Sequence, residues 1–186
     1  MSYSLSSIHI LKNLLLKTAT QSGYIGEPVS KASHMFSAAL TASNQQRSNP
    51  VIVASLFHDI GHLLAEDDTG GYGVSNHAEL GSAFLKGLGF PDSVCLPVKY
   101  HVDAKRYLIS ISNNYQLSLA SQETLKFQGG PMNMKEIKQF EQNPFFNGAL
   151  QVRQADENSK VKEYDHDLLN KTFNNFIPLL VQLIED

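Results

Sequence analysis

Five of the seven histidines form an ordered array, and this array limits the possible folds more than any other feature of the sequence. They are His34, His58, His62, His77 and His101. Asp59 follows His58 directly, and apolar residues at helical spacing surround most members of the array. Imidazole and carboxylate side chains that converge from several helices are how metal sites are built in the core of helical bundles. The array therefore favours a bundle of helices around a buried metal site.

Composition and charge exclude several classes of protein. The 186 residues are 42% apolar, which fits one globular domain over residues 1–186. The net charge of -3 gives no basic surplus for binding nucleic acid. The single cysteine, Cys95, can form neither an internal disulfide nor a zinc–thiolate site, and we interpret it as a small buried residue. No targeting or membrane-spanning segment is evident, so we expect a cytoplasmic protein with no membrane partner.

Helix signals dominate the chain, and no stretch alternates with period two for long enough to indicate a sheet. We therefore predict an all-α domain. Proline after Asn49, and glycine at position 89, mark one helix start and one helix end. Besides the helices that carry His77 and His101, the predicted helices cover residues 4–20, 28–43, 51–64, 118–127, 133–142, 145–159 and 165–184.

The segment from Val51 to Leu64 is predicted to be one continuous helix that is apolar nearly all round. On such a helix His58, Asp59 and His62 lie within an arc of about 100°. Buried ionisable groups need partners or a metal ion. A hydrogen-bond network without metal is the alternative interpretation. It suffices for a lone buried histidine but less readily explains five histidines and an aspartate on several helices.

Asp59 has two oxygens and can therefore contact two cations. A bridging Asp59 would let His34 and His58 hold one metal while His77 and His101 hold the other. Oxygen and imidazole ligands without thiolate suit iron or manganese. A further acidic ligand is expected downstream, where the residues alone leave Asp156, Glu157, Asp165 and Asp167 open.

His34, the His58-Asp59 pair and Asp156 together resemble the signature of the HD-domain superfamily. Its members are metal-dependent helical proteins, mostly phosphohydrolases. The additional His77 and His101 match the branch of the superfamily that binds two metals. The resemblance favours Asp156 among the open acids, because a basic residue precedes it by three positions and a lysine follows it.

A narrower resemblance covers nearly the whole chain, and six segments carry it: 24–27, 56–62, 77–81, 101–108, 117–132 and 153–160. They resemble the PhnZ-type mixed-valent diiron oxygenases, with TmpB as a close sibling and myo-inositol oxygenase as a distant relative. This family cleaves the carbon–phosphorus bond of 1-hydroxyphosphonates, typically converting 2-amino-1-hydroxyethylphosphonate to glycine and phosphate.

The resemblance implies a cofactor of two iron ions, Fe(II) and Fe(III). One iron would be bound by four residues and the other by three, with Asp59 shared. The implied ligands are His34, His58, Asp59 and Asp156 for the first iron, and Asp59, His77 and His101 for the second. The implied reaction is oxidation by O2, with the phosphonate and 1-hydroxyl of the substrate bound at the iron pair.

The same resemblance implies residues that bind the substrate. Tyr24 would act as a catalytic gate that leaves an iron position when substrate arrives, and Glu27 would bind the substrate ammonium. Lys105, one helical turn after His101, would pair with the phosphonate, and His62 would hydrogen-bond to it or act catalytically. Further phosphonate donors are expected at Ser121, Thr124 and Gln128.

Two other functions stay open at this point. An HD phosphohydrolase acting on a nucleotide or other phosphate ester would use the same ligands, with a metal-bound hydroxide as nucleophile. A metal-dependent sensor would bind a phosphonate without turnover, although the sequence has no DNA-reading motif. The expected partners are a small organophosphonate, O2 and a separate hydroxylase that produces the 1-hydroxyphosphonate.

Overall fold

The structure, a computed structural model, describes residues 2–18, 29–159 and 163–185. Within these ranges the chain is helical and has no strand, which confirms the predicted all-α class. A short 3₁₀ helix, Ile60–Leu63, lies between the third and fourth α-helices. The α-helices are α1 Ser2–Thr18, α2 Lys31–Asn44, α3 Asn49–Phe57, α4 His77–Gly87, α5 Asp92–Ile111, α6 Leu119–Phe127, α7 Met134–Glu141, α8 Phe146–Glu157 and α9 His166–Glu185.

Helix α5 is central to the packing and contacts α3, α4 and α8, while α2 packs on α3 and α8. Helices α1 and α9, from opposite ends of the chain, pack on each other. The main core contains the fully buried side chains of Phe36, Phe57, Phe90 and Phe173. A smaller cluster around Tyr107 joins α5 to α7 and α8. Helices α2, α3, α4, α5 and α8 thus surround one interior region, which holds the histidine array.

Helix ends follow the local chemistry of the sequence. Pro50 lies in the first turn of α3, where its missing N–H costs no hydrogen bond. Gly89 follows α4 with a φ of 94°, a backbone conformation that favours glycine. Asn133 and Glu136 form a capping box at the start of α7. These starts and ends agree with the predicted helices.

The predicted helix from Val51 to Leu64 is wrong in its second half. Helix α3 ends at Phe57, and Asp59 is in a turn with φ -103° and ψ 10°. His62 therefore lies on the 3₁₀ helix rather than on α3, and the predicted arc of about 100° does not describe these side chains.

Close packing of the 3₁₀ helix against the start of α4 accounts for this break. A Cβ atom added at Gly61 would lie 1.9 Å from the carbonyl oxygen of His77. Only glycine allows the two backbones to approach this closely. The tighter 3₁₀ turn brings Gly61 to that contact, so the chain leaves the α-helical path after Phe57.

Helix α2 begins later than predicted. Its N-cap is Ser30, whose hydroxyl accepts a hydrogen bond from the N–H of Ser33 at 3.2 Å. The predicted start at Glu27-Pro28 lies outside the described residues. Among the helices that are described, none combines the length and apolarity needed to cross a bilayer.

Candidate metal centre and the cavity beside it

The predicted metal ligands come from five parts of the fold and meet in its interior. They are His34 of α2, His58 and Asp59 at the end of α3, His77 at the start of α4, His101 of α5 and Asp156 of α8. The histidines and Asp59 are buried, and the side chain of Asp156 is 11% exposed. Segments far apart in sequence thus supply one compact set of nitrogen and oxygen donors.

Asp59 lies between two pairs of imidazoles and turns one oxygen toward each. Its Oδ2 is 3.7 Å from Nε2 of His34 and 3.4 Å from Nε2 of His58. Its Oδ1 is 3.5 Å from Nε2 of His77 and 3.6 Å from Nε2 of His101. This arrangement suits a carboxylate that bridges two cations.

Each imidazole pair is spaced as two ligands of one metal would be. The Nε2 atoms of His34 and His58 are 3.2 Å apart, and those of His77 and His101 are also 3.2 Å apart. Two nitrogens about 2.1 Å from one metal, at nearly a right angle, lie roughly 3 Å apart. The donor set therefore fits two metal ions.

Asp156 completes the group around His34 and His58. Its Oδ1 lies 3.1 Å from Nε2 of His34 and 3.7 Å from Nε2 of His58. Of the other acids left open by the sequence, Glu157 lines the cavity beside the centre and pairs with Arg153. Asp165 accepts the N–H of Leu168 at the start of α9, and Asp167 lies in the first turn of that helix.

Backbone carbonyls fix the proton positions of three of the histidines. In each case the Nδ1–H donates to the carbonyl oxygen three residues earlier, so the neutral ring keeps its Nε2 lone pair for a metal. The distances are 2.8 Å from His58 to Ser55, 2.9 Å from His77 to Val74 and 2.7 Å from His101 to Val98.

His62 has the opposite arrangement. The N–H of Val74 donates to Nδ1 of His62 at 2.9 Å, so a neutral His62 carries its proton on Nε2. The ring stacks on His77 with a centroid distance of 3.9 Å, and its Nε2 lies 4.0 Å from Oδ1 of Asp59. Asp59, His62 and His77 bring donor atoms within 4.8 Å of one another. His62 nevertheless offers an N–H here, which suits a hydrogen-bond donor rather than a ligand.

Burial and charge act in opposite directions on the pKa values of this centre. Burial would raise the pKa of Asp59, but His58 beside it holds that pKa well below its usual value. Burial would lower the pKa of His58, yet Asp59 and Asp156 raise it to about 9. Burial lowers the pKa of His62 to about 4 and that of His77 well below its usual value. The carboxylates thus hold positive charge at His58, and a metal cation would replace that proton.

A cavity of about 90 Å³ lies beside the centre. Apart from the candidate metal ligands, its polar lining includes the cationic Lys105 and Arg153, the carboxylate of Glu157, and His62, Ser118, Ser121, Thr124, Gln128 and Ser159. The buried Lys105 donates from Nζ to Oγ1 of Thr124 at 2.9 Å, and burial lowers the pKa of Lys105 to about 7. Lys105, together with Arg153 and several hydroxyls, makes this cavity suited to an anion, while Asp156 and Glu157 offset part of the charge of Arg153.

Arg153 is a lining residue that the sequence interpretation missed. Its Nη1 lies 2.5 Å from Oδ2 of Asp156, its Nη2 also contacts Glu157, and Nη2 donates to Oγ of Ser121 at 3.3 Å. Burial would raise the pKa of Asp156, but Arg153 holds it far below its usual range. The sequence contained an indication of this contact, because an arginine three residues before a candidate metal ligand lies on the same helix face as that ligand.

The structure brings the other described site residues of the sequence prediction to this one place. Lys105, Ser121, Thr124 and Gln128 line the cavity together with His62. The side-chain Oε1 of Gln128 is buried, and no hydrogen-bond partner for it lies within the described part of the chain. Tyr24 and Glu27 lie outside the described residues.

Comparisons with known proteins agree with the resemblance read from the motifs. The model of the HD-domain family matches residues 32–156. The chain is 36% identical over 170 residues to the 1-hydroxy-2-(trimethylamino)ethylphosphonate dioxygenase (glycine-betaine-forming) of Leisingera caerulea, covering 87% of this chain and 83% of the relative. It is 38% identical over 154 residues to the hydroxymethylphosphonate dioxygenase of Gimesia maris, covering 80% and 76%. An uncharacterized protein of Acanthamoeba polyphaga mimivirus is 37% identical over 146 residues, covering 75% and 67%.

Proposed function

The chain belongs to the HD-domain family, and we propose that it is a diiron oxygenase that cleaves the carbon–phosphorus bond of a 1-hydroxyphosphonate with O2. The observation that carries this proposal is the placement of Asp59 between two imidazole pairs, next to a cavity lined by two cations. Two relatives named as phosphonate dioxygenases support the substrate class. The proposed substrate is 2-amino-1-hydroxyethylphosphonate, with glycine and phosphate as products.

Six side chains would hold the two iron ions. His34, His58 and Asp156 would bind one iron, His77 and His101 the other, and Asp59 both. When bound, an Fe(II)/Fe(III) pair supplies the redox chemistry toward O2 and polarises the substrate oxygens. The chain supplies ligand orientation through the carbonyl contacts of His58, His77 and His101.

The cationic side of the cavity would bind the phosphonate. Lys105 and Arg153 would form charge-assisted hydrogen bonds to its oxygens, and the hydroxyls of Ser121 and Thr124 lie against these two cations. His62 would donate from Nε2, the nitrogen that carries its proton. These contacts would hold the carbon–phosphorus bond next to the metal centre.

The amino end of the substrate, opposite the phosphonate, would be bound by residues outside the described part of the chain. By resemblance, Glu27 would bind the substrate ammonium, and Tyr24 would keep an iron position closed to O2 until substrate binds. Because the substrate must already carry a 1-hydroxyl, we also propose a separate hydroxylase that acts before this protein.

Oxygen consumption coupled to phosphate release tests this function. Iron-loaded protein given 2-amino-1-hydroxyethylphosphonate is expected to consume about one O2 for each phosphate released, as the proposed dioxygenation requires. A phosphohydrolase would instead release phosphate from nucleotides or other phosphate esters without consuming O2. A sensor would bind the phosphonate and release no product. Either of these results would contradict the proposal.

The same assay tests the role of Glu27. Glu27→Ala is expected to lower kcat/KM for the aminated substrate more than for hydroxymethylphosphonate, because only the former has an ammonium group. Glu66→Ala is the control, since Glu66 is exposed and outside the cavity. Equal losses with both substrates would remove the ammonium-binding role and leave the oxygenase proposal intact.

A further inference from the structure

Helix α6 supplies Ser121 and Thr124 to the cavity, yet none of its residues is buried. Leu119 at its start is 82% exposed, and Phe127 at its end is 50% exposed. A helix without a buried face gains little of its position from apolar packing. The position of α6 therefore depends mainly on polar contacts and on the turn that follows, with one ring contact between Phe127 and Tyr72 at a centroid distance of 5.8 Å.

Two cationic residues adjacent in sequence hold this region from α5. The Nζ of Lys105 donates to Oγ1 of Thr124 in the middle of α6. The side chain of Arg106 takes another direction, and its Nε donates to the carbonyl oxygen of Gly130 at 2.9 Å. Lys105 thus contacts α6 inside the cavity, and Arg106 holds the turn after it.

The turn is shaped to fit the guanidinium of Arg106. Gly129 and Gly130 have φ values of 92° and 71°, in the left-handed region that favours glycine. A Cβ atom at Gly129 would lie 3.5 Å from the guanidinium carbon of Arg106, so this backbone packs directly on the side chain. Gln128, which lines the cavity and has a buried side-chain oxygen, immediately precedes the turn.

Arg106 is itself held firmly in place. Its Nη2 donates to Oε1 of Glu136 at 2.6 Å, and its Nη1 lies 3.3 Å from Oδ1 of Asp103. The other carboxylate oxygen of Glu136 accepts the N–H of Asn133 at 2.9 Å in the capping box of α7. The side chain of Arg106 is 14% exposed, so one largely buried group connects α5, the glycine turn and the start of α7.

We propose that Arg106 is a positioning residue of the anion-binding cavity: it fixes the Gly129–Gly130 turn and thereby holds Thr124, Ser121 and Gln128 at the spacing that an anion requires. Arg106 acts through the backbone of the turn and does not line the cavity. The identification of the physiological anion as a phosphonate rests on the proposed function. The role of Arg106 in setting the affinity for an anion is independent of that function.

Substitution of Arg106 with separate measurements of binding and turnover tests this role. Arg106→Met removes all three polar contacts, and Arg106→Lys keeps the charge but reaches fewer partners. Lys126→Met is the matched control, because Lys126 lies on α6 itself, is 65% exposed and pairs only with Glu123 among the described residues. Each iron-loaded protein is titrated with inorganic phosphate by calorimetry and assayed with the phosphonate substrate.

Arg106→Met is expected to raise the Kd for phosphate and the KM for the phosphonate about tenfold, the effect of losing one charge-assisted contact. The kcat at saturation and the bound iron should stay within about twofold of the parent, because the metal ligands are not touched. Arg106→Lys should lie between Arg106→Met and the parent, and Lys126→Met should match the parent. Hydrogen exchange of residues 117–130 should accelerate in Arg106→Met, to a smaller extent in Arg106→Lys, and not in Lys126→Met.

An unchanged Kd for phosphate in Arg106→Met with its iron intact would overturn the proposal. Loss of iron together with activity in Arg106→Met indicates general unfolding and passes the decision to the conservative variant. If Arg106→Met does not fold, Arg106→Lys decides: a Kd equal to that of the parent overturns the positioning role, and a raised Kd with intact iron supports it. A parent protein that binds phosphate but consumes no O2 would refute the proposed function, while the phosphate titrations would still test Arg106.

Discussion

The backbone of one residue, Val74, sets the chemistry of two stacked histidines. The carbonyl oxygen of Val74 accepts the Nδ1–H of His77, and the N–H of Val74 donates to Nδ1 of His62. His77 therefore presents a lone pair at Nε2 and His62 presents a proton. Two residues of the same type thus obtain different roles from their backbone neighbours, a distinction that residue identity in the sequence does not contain.

Lys105 gives the cavity a dependence on pH. Burial and the nearby charge of Arg153 lower the pKa of Lys105 to about 7, so raising the pH above this value removes its charge from the free protein. Binding of an anion requires the protonated form, and affinity should therefore fall as pH rises, by up to about tenfold per pH unit. Measurement of KM for the phosphonate between about pH 6 and pH 9 checks this expectation.

Lys105→Arg is the informative variant for this prediction. Arginine stays protonated between about pH 6 and pH 9, so KM should rise less with pH in this variant. The planar guanidinium differs in shape from the lysine ammonium, which affects the KM at every pH. Any titration of the substrate itself acts equally on both proteins and cancels in the comparison. A KM that rises equally steeply in Lys105→Arg and in the parent would show that another group is responsible.

At the scale of elements, the contact between the 3₁₀ helix and α4 positions the second imidazole pair. Gly61→Ala would place a Cβ atom 1.9 Å from the carbonyl oxygen of His77, so one of the two segments must move. The His77 ring would shift relative to Asp59, while His34 and His58 lie outside this contact. We expect this variant to lose about half of its bound iron, as the displaced ligand geometry predicts.

Gly87→Ala is the matched control for this substitution. Gly87 is near the end of α4, and a Cβ atom there would meet nothing within 4 Å. Iron determination by mass spectrometry on both variants, with circular dichroism to verify folding, gives the comparison. Full iron content in Gly61→Ala would mean that the second imidazole pair tolerates the displacement.

Elements with local signals could be predicted from the sequence, and those shaped by tertiary contact could not. The start of α3 follows from Pro50, the start of α7 from Asn133 and the end of α4 from Gly89, all of which act on the chain within a few residues of themselves. The end of α3 at Phe57 depends on the approach of Gly61 to a segment far along the chain. The helical spacing of apolar residues continues beyond Phe57, so the sequence pattern does not predict the end of α3 there.

The candidate site likewise has residues that the sequence predicts and contacts that depend on the tertiary structure. The histidine array and Asp59 stand out in the sequence because their residue types are rarely buried without partners. The spacing of Arg153 to Asp156 indicated a shared helix face, but an arginine on a helix is usually solvated, and the contact of Arg153 with Ser121 depends on the tertiary structure. The assignment of Asp59 Oδ1 and Oδ2 to opposite imidazole pairs likewise depends on the tertiary arrangement.

At the scale of the whole molecule, the candidate metal centre links helices that are distant in sequence. Its members extend from His34 on α2 to Asp156 on α8, nearly the full range matched by the HD-domain family. Helices α1 and α9 flank this range and pack on each other, with a hydrogen bond of 2.8 Å from Lys12 to Asn174. Metal ions bound at the centre would therefore hold together the helices on which the core is built.

Because the folded chain binds metal and the unfolded chain lacks the assembled site, iron should stabilise the fold. At a free concentration about a thousandfold above Kd, one site contributes roughly 4 kcal/mol, which for a chain of this size corresponds to about 10 °C in Tm. Anaerobic thermal unfolding with Fe(II) and with a chelator measures this increment.

Asp59→Ala should abolish the increment in Tm entirely, since both imidazole pairs share that carboxylate. Asp92→Ala should keep it, because Asp92 is 56% exposed and pairs with Lys86 away from the centre. Half of the increment remaining in Asp59→Ala, together with one bound iron, would mean that each imidazole pair holds its metal independently and that Asp59 does not bridge.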